Sequence, residues 1–184
     1  NVILRTADGR LDTLANALTI TPAGGWSFDT PLGLPDVASY GTINASRTLA
    51  VTDDGGLHAV WIDERSGQPA VHVVEQVDGV FGTPVQVSTV TSVPVTHTVG
   101  AAAGGRVEAV WRDGRAGSTD LWWRERAAGT WGTETQITSS PNPSLYPALA
   151  GDANGDVHLV RRVDADGNPE IYYKRLRGGS WGAD

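Results

Sequence analysis

The segment Val107–Thr138 decides the fold, and it reads VEAVWRDGRAGSTDLWWRERAAGTWGTETQIT. Short apolar runs alternate in it with turns that contain glycine. No run shows the spacing of about 3.6 residues between apolar side chains that an amphipathic helix requires. The strand-favouring residues Val, Trp and Thr are frequent in the runs. The segment therefore predicts antiparallel strands joined by hairpin turns.

The same pattern recurs at intervals of 50 residues. Three stretches, which begin at Leu49, Val99 and Leu149, align with one another without a gap. The positions that are identical in all three copies are one valine and four glycines: Val60/Val110/Val160, Gly55/Gly105/Gly155, Gly67/Gly117/Gly167, Gly79/Gly129/Gly179 and Gly82/Gly132/Gly182. Identity concentrated at turn residues indicates a structural repeat.

Each copy predicts four short strands, and tandem four-stranded units of about 40–50 residues are typical of a β-propeller. The strands are apolar on both faces, as expected of a blade packed between two neighbours. We therefore predict an all-β chain, a β-propeller of four-stranded antiparallel blades. It has about three and a half to four blades, as a partial ring or a ring closed by association. Within one propeller region, 1–184, the predicted blades are 1–36 (incomplete), 45–89, 95–139 and 145–184 (incomplete).

The last turn of each copy carries an aromatic residue that we expect to plug its blade. These residues are Trp26, Phe81, Trp131 and Trp181, the first of them in a weaker copy that opens the chain. The strand predicted after this turn is Thr83–Ser88 in one copy and Thr133–Thr138 in the next. The last copy is expected to stop before its fourth strand.

Composition excludes several classes of site and partner. A net charge of −7 argues against a nucleic-acid partner, which calls for clustered Lys and Arg. The absence of cysteine excludes disulfides and cysteine-bound zinc. No apolar run reaches the length of about 18 residues that a membrane helix needs, so we expect no membrane span.

The sequence of Pro147–Gly182 resembles the sialidase-like propeller superfamily with BNR repeats. It carries Asp-x-Asn-Gly-x-Val-His-x-Val, Asp-Gly-Asn-Pro-Glu-Ile-Tyr-Tyr and Gly-Gly-Ser-Trp-Gly in that order. The corner motif of that family, Ser-x-Asp-x-Gly-x-x-Trp, is degenerate here, since glycine and the aromatic residue remain and only Asp78 keeps a carboxylate. The resemblance implies a propeller fold. The arginine triad, Tyr–Glu pair and acidic Asp of true sialidases match no motif here, so we predict no catalytic residues.

Four residues are candidate ligand contacts. Arg65 and Arg115 recur in Asp-x-Arg-x-Gly turns, where they can capture an anion or simply pair with the turn aspartate. Trp122 and its repeat equivalent Tyr172 can stack on a sugar or pack between blades. Trp122 and Trp123 are adjacent on a strand and must point to opposite faces, so they cannot form one platform.

One hairpin has the spacing of a calcium site. The stretch Asp164–Glu170 alternates oxygen-bearing side chains that are candidate metal ligands: Asp164, Asp166, Asn168 and Glu170. An ordinary Asp-Gly turn explains the same residues, and the stretch does not complete a twelve-residue calcium loop. We expect no other cofactor.

These features favour a non-catalytic propeller module that binds a glycan or a protein through loops, in an extracellular or cell-surface setting. Two alternatives remain open: a fragment of a sialidase-like glycoside hydrolase, and a structural repeat that associates with itself. The expected partners are accordingly a glycan or protein ligand and either further copies of the chain or the remainder of a longer propeller.

Overall fold

The computed structural model describes residues 2–5, 11–14, 39–40, 48–63, 65, 67–89, 97–102, 105–165 and 167–183. Within these ranges every regular element is a β-strand, and every strand pair is antiparallel. The all-β prediction is therefore confirmed. No helix of the length and apolarity needed to cross a membrane occurs in the described part of the chain.

The segment Val107–Thr138 forms most of one sheet, which we call sheet III because the sheets are numbered I to IV in chain order. Its strands are β9 (His97–Ala102), β10 (Arg106–Asp113), β11 (Asp120–Ala127), β12 (Thr130–Trp131) and β13 (Thr135–Gln136). The order across the sheet is β12-β11-β10-β9, and β13 also pairs with β11. Within the predicted fourth strand, Thr133–Thr138, the structure has the short strand β13, and a further short strand, β12, lies before it; the chain pairs with β11 up to Trp131 and again only from Thr135.

Sheet II repeats this arrangement one copy earlier. Its strands are β3 (Ser39–Tyr40), β4 (Leu49–Val51), β5 (Leu57–Asp63), β6 (Ala70–Val77), β7 (Val80–Phe81) and β8 (Val85–Gln86). Both β3 and β4 pair with β5, one after the other along its length. The sheet therefore extends to Ser39, upstream of the predicted blade boundary at residue 45.

The other two sheets of the described residues are sheet IV, near the end of the chain, and sheet I, at its start. Sheet IV contains β14 (Ser144–Gly151), β15 (Val157–Ala165), β16 (Asn168–Arg177) and β17 (Ser180–Trp181). The short strand Ser180–Trp181 pairs with β16 in the same way as β7 pairs with β6 and β12 with β11. Sheet I is a hairpin of β1 (Val2–Arg5) and β2 (Leu11–Leu14); Trp26 lies outside the described residues.

In sheets II, III and IV a two-residue turn joins β6 to β7, β11 to β12 and β16 to β17, respectively. Its two residues have positive φ in all three copies: Asp78/Gly79, Ala128/Gly129 and Gly178/Gly179. This is the conformation of a type I′ hairpin, which matches the twist of the flanking strands. Glycine at the second position avoids the steric cost that a side chain has there, which explains why the sequence repeats it.

Sheets II, III and IV pack face to face in chain order. We call the face toward the preceding sheet the front face and the face toward the next sheet the rear face. Val60 and Ile62 on the rear of sheet II bury against Val107 and Trp111 on the front of sheet III. One copy later, Val110 and Leu121 on the rear of sheet III bury against Leu159 and Leu176 on the front of sheet IV. The 50-residue repeat is thus a repeat of packing as well as of turns.

Candidate functional site

A broad concavity opens at the junction of sheets II and III. Its volume is about 560 Å³, and it is lined by Thr89, Arg115, Trp122, Arg124, Trp131, Gly132, Thr133 and Glu134. We call it the Trp122 cleft. It brings together Arg115 and Trp122, two of the four ligand contacts predicted from sequence, with a second tryptophan and polar groups.

Arg115 is fixed against the indole ring of Trp122. Its guanidinium carbon lies 4.2 Å from the centre of the ring, a cation–π geometry. The fully buried carboxylate of Asp113 accepts from the Arg115 backbone N–H at 2.8 Å and from Nε at 2.9 Å. Glu134 lies 2.6 Å from Arg115 Nη2. The turn aspartate therefore pairs locally with its arginine, and the paired guanidinium still forms part of the cleft wall.

The paired tryptophans of β11 point to opposite faces, as expected. Trp122 packs on the core between sheets II and III, and Trp123 packs on the core between sheets III and IV. Trp123 also meets Trp181 edge to face, with ring centroids 6.0 Å apart. Both rings contribute to packing between sheets, but only Trp122 lines the cleft.

Polar contacts across the two sheets hold the rim of the cleft. Arg124 donates to the carbonyl of Gly132 at 2.6 Å and to that of Val87 at 3.0 Å. Glu134 Oε2 accepts from the backbone N–H of Thr89 at 2.9 Å. Because Val87 and Thr89 follow the last strand of sheet II, their bonds to Arg124 and Glu134 join sheets II and III at the rim of the Trp122 cleft.

A second concavity lies on the other side of Trp131. It has a volume of about 310 Å³, and four valines contribute to its lining together with the polar residues His58, Glu75 and Arg126. Glu75 Oε2 accepts from Arg126 Nη2 at 2.5 Å across the sheet junction. Burial lowers the pKa of His58, which favours the neutral imidazole. Two paired charges and a neutral ring leave this edge without net charge.

Two carboxylates face each other on the rear of sheet III. Glu108 pairs across the strands with Glu125, and Arg106 contacts both at 3.2 Å. Burial raises the pKa of Glu108 to about 7, although Trp123 Nε1 donates to it at 2.7 Å. A carboxyl group with such a pKa suits proton transfer near neutrality. Glu108 is, however, completely buried, so it cannot reach a ligand without rearrangement.

The other two predicted contacts lie elsewhere. Arg65 sits over Trp61 of sheet II, with 5.5 Å between its guanidinium carbon and the ring centre. Tyr172 receives Arg161 in the same way at 5.3 Å. Each of the three sheets has an arginine over an aromatic ring, although the pairs occupy different repeat positions, and only the pair in sheet III lines the Trp122 cleft.

The predicted calcium ligands occupy the β15–β16 hairpin. Asp164 pairs with Pro169, and Glu170 pairs with Val163, so the two acidic side chains belong to opposite faces of the sheet. Asp164 accepts from Arg162 Nε at 2.6 Å. Asp166 lies outside the described residues, and among those described no group of three acidic, histidine or cysteine side chains is placed to hold a metal. Calcium binding stays a prediction.

Sequence reasoning missed Arg124, Thr133 and Glu134 as part of the site. The sequence predicts Thr133 and Glu134 within a plain strand and singles out no role for Arg124. In the structure Thr133 and Glu134 lie in the break in pairing between Trp131 and Thr135, and both line the cleft. Nothing in the sequence itself marks that break.

No family model matches the chain, and no curated protein matches it. A similar solved structure is described as a new family of polysaccharide lyase, PL25 ulvan lyase, bound to -[GlcA(1-4)Rha3S]-. The two chains are 13% identical with a TM-score of 0.49, over 73% of this chain and 41% of the other. The chain thus spans less than half of that structure, and a likeness of this degree carries no conclusion about chemistry.

Proposed function

We propose that the chain is a non-catalytic glycan-binding module of β-propeller architecture, and that the glycan binds in the Trp122 cleft. The observation that carries the proposal is the meeting of two tryptophans with Arg115, Arg124 and Glu134 in one open concavity. A sugar ring presents an apolar face to an aromatic side chain and hydroxyls to planar polar groups. The cleft supplies both kinds of surface.

The charge of the cleft favours hydroxyl recognition over a strongly acidic ligand. Arg115 is balanced by Asp113 and Glu134. Arg124 donates to the main-chain carbonyls of Gly132 and Val87, and its charge offsets the second carboxylate, so the two arginines and two carboxylates sum to zero. A neutral sugar therefore suits these residues better than a highly sulfated chain.

The propeller architecture is proposed from the face-to-face packing of sheets II, III and IV at a constant interval of 50 residues. Each sheet then forms one blade, and the Trp122 cleft lies where loops of two blades meet. Membership of the sialidase-like superfamily and an extracellular or cell-surface location are parts of the same proposal. The support for membership is the corner sequence around Asp78, Ala128 and Gly178, which all adopt one turn.

A glycan array followed by calorimetry tests the binding site. Thr133→Val removes a hydroxyl and Glu134→Gln replaces a carboxylate by a neutral amide, and both keep the shape of the cleft, so we expect each to weaken binding of the best glycan about tenfold. Thr83→Val is the matched control, because Thr83 is the repeat equivalent of Thr133 and lies at the second concavity. Its affinity should equal that of the wild type.

Two results would contradict the proposal. One is the absence of any glycan ligand at millimolar concentration. The other is an equal effect of the changes at Thr133 and Thr83, which would place the ligand outside the Trp122 cleft. Release of reducing sugar from a bound glycan would refute the non-catalytic part alone and would favour the glycoside hydrolase alternative.

A further inference from the structure

The second concavity has a counterpart one copy later, and there a side chain occupies the equivalent place. On the rear face of sheet III, Trp123 meets Trp181 edge to face, with ring centroids 6.0 Å apart. The repeat equivalent of Trp123 in sheet II is Val73, and the equivalent of Trp181 is Trp131. Both Val73 and Trp131 line the second concavity. The concavity therefore lies where an indole ring packs at the following sheet junction.

The filled junction also shows where an indole N–H finds its acceptor. Trp123 Nε1 donates to Glu108 Oε2 at 2.7 Å. The repeat equivalent of Glu108 is His58, which is almost completely buried and lines the second concavity. In the described structure its Nδ1 makes no hydrogen bond, and its Nε2 lies 4.0 Å from Glu75 Oε1, beyond hydrogen-bond distance. A buried polar group without a partner is costly, so a ligand that bonded this edge would remove that cost.

The edge of the concavity is suited to accept a hydrogen bond. Burial lowers the pKa of His58, and the neutral imidazole has one ring nitrogen that accepts. Glu75 pairs with His58 across the strands and adds a carboxylate, of which Oε2 accepts from Arg126. An imidazole and a carboxylate thus stand where the next junction has the carboxylate of Glu108.

The mouth of the concavity is more apolar than the equivalent surface of the other copies. Three valines that line it are between 47% and 71% exposed: Val77, Val80 and Val85. The residues at these positions in the other two copies are Ala127 and Arg177, Thr130 and Ser180, and Thr135. Exposed apolar side chains that converge on a concavity with a few polar groups are typical of sites for small ligands.

We propose that the second concavity binds a small aromatic ligand of the indole class. The ring packs between Val73 and Trp131, and its N–H donates to the edge formed by His58 and Glu75. The volume of about 310 Å³ is near the lower end of the range of about 300–1,000 Å³ for ligand pockets, which suits one fused ring system better than an oligosaccharide. The proposal is independent of glycan binding, because the Trp122 cleft lies on the other side of Trp131.

Titration with indole, followed by protein NMR, tests the site. We expect a dissociation constant of about 1 mM or tighter and shifts of the amide signals of Val73, Val77 and Val85. The compounds 3-methylindole and 1-methylindole are matched in size, but only 3-methylindole keeps the N–H. We expect 1-methylindole to bind about tenfold more weakly, because it leaves the buried polar edge unpaired. Tighter binding of N-acetyltryptophanamide than of indole would identify the ring as a tryptophan side chain of a polypeptide.

Two changes in sheet II locate the ligand on the protein. Val73→Trp introduces the side chain that occupies the equivalent position of sheet III, so it should abolish indole binding. Val80→Thr copies Thr130 at an exposed position of the mouth and should weaken binding about threefold. Val51→Thr is the matched control, because Val51 is exposed on β4 of sheet II and does not line the concavity. This variant should bind indole as the wild type does.

Three results would overturn the proposal. The first is no binding of indole at about 10 mM. The second is equal affinity for 1-methylindole and 3-methylindole, which would show that the N–H is not recognised. The third is an equal effect of Val80→Thr and Val51→Thr, which would place the ligand outside the second concavity. None of these results changes the expected effect of Thr133→Val on glycan affinity, so the two proposals can fail separately.

Discussion

Sheets III and IV have closely similar strands but different surroundings. In sheet III, Leu121 and Val110 are fully buried because sheet IV packs against them. In sheet IV, Ile171 and Val160 occupy the equivalent positions and face outward. Strand formation is thus set by the local pattern, whereas burial is set by the neighbour. The comparison teaches that the apolar residues on both faces of a repeated sheet do not by themselves determine which of the faces is covered by a neighbouring sheet.

The largest expected difference between the two sheets comes from truncation of matched side chains. Leu121→Ala leaves a cavity between sheets III and IV and should lower the free energy of unfolding by about 2–5 kcal/mol. Ile171→Ala should change it by less than about 0.5 kcal/mol in dilute protein, because the side chain is exposed. Urea denaturation of the two variants measures both values. Equal losses would mean that sheet IV is buried in solution at these concentrations.

The second difference concerns the position shared by Glu108 and His158. Burial raises the pKa of Glu108 to about 7, well above that of an unfolded glutamate, while His158 bonds the hydroxyl of Tyr173 on the open face. The native state therefore holds a proton that the unfolded chain releases. The stability that Glu108 contributes is complete below about pH 4.5 and is lost as the pH rises to about 7.

Glu108→Gln removes this titration and keeps the shape of the side chain. The stability of the variant relative to the wild type should rise by about 2–3 kcal/mol between pH 4.5 and 8, measured by urea denaturation at each pH. Trp123→Phe removes a bond that favours the charged form, so it should move the wild-type transition to higher pH. Parallel pH profiles of the wild type and Glu108→Gln would show that Glu108 is ionised throughout.

The smallest expected loss of stability comes from replacement of a turn glycine, and it should be the same in sheets III and IV. Gly129 and Gly179 have φ of +80° and +79° in equivalent turns. Replacement of either by alanine should cost about 1 kcal/mol, because the strain is local and does not depend on a neighbouring sheet. Gly114→Ala, at a glycine with ordinary φ and open space, is the control and should cost nothing measurable. Thermal melting of the three variants distinguishes these outcomes.

Much of the fold follows from the repeat. The predicted antiparallel strands are present, and the repeated glycines at Gly55, Gly67 and Gly79 have the positive φ of turn residues. The alternation of Trp122 and Trp123 between faces also follows from the strand alone. The fourth strand was less predictable, since its two halves are separated by a break that depends on pairing with the third strand.

The candidate site was predictable only in part. The repeat singled out Arg115 and Trp122, because an arginine after a turn aspartate and an aromatic pair are visible in the chain. Their meeting with Thr89 and Glu134 was not visible, since it depends on two sheets approaching each other. For the same reason the sequence could not distinguish Arg65 from Arg115, or Tyr172 from Trp122, although only Arg115 and Trp122 line the cleft.

The sequence by itself determined the antiparallel strands, their period of 50 residues and the turns that join them, because these depend on side-chain alternation and on backbone strain at single residues. The tertiary structure decided which apolar faces are covered, which arginine lines a cleft and which glutamate is held protonated. Those properties depend on the distance to a neighbouring sheet, and burial changes the free energy of the same side chain by several kcal/mol.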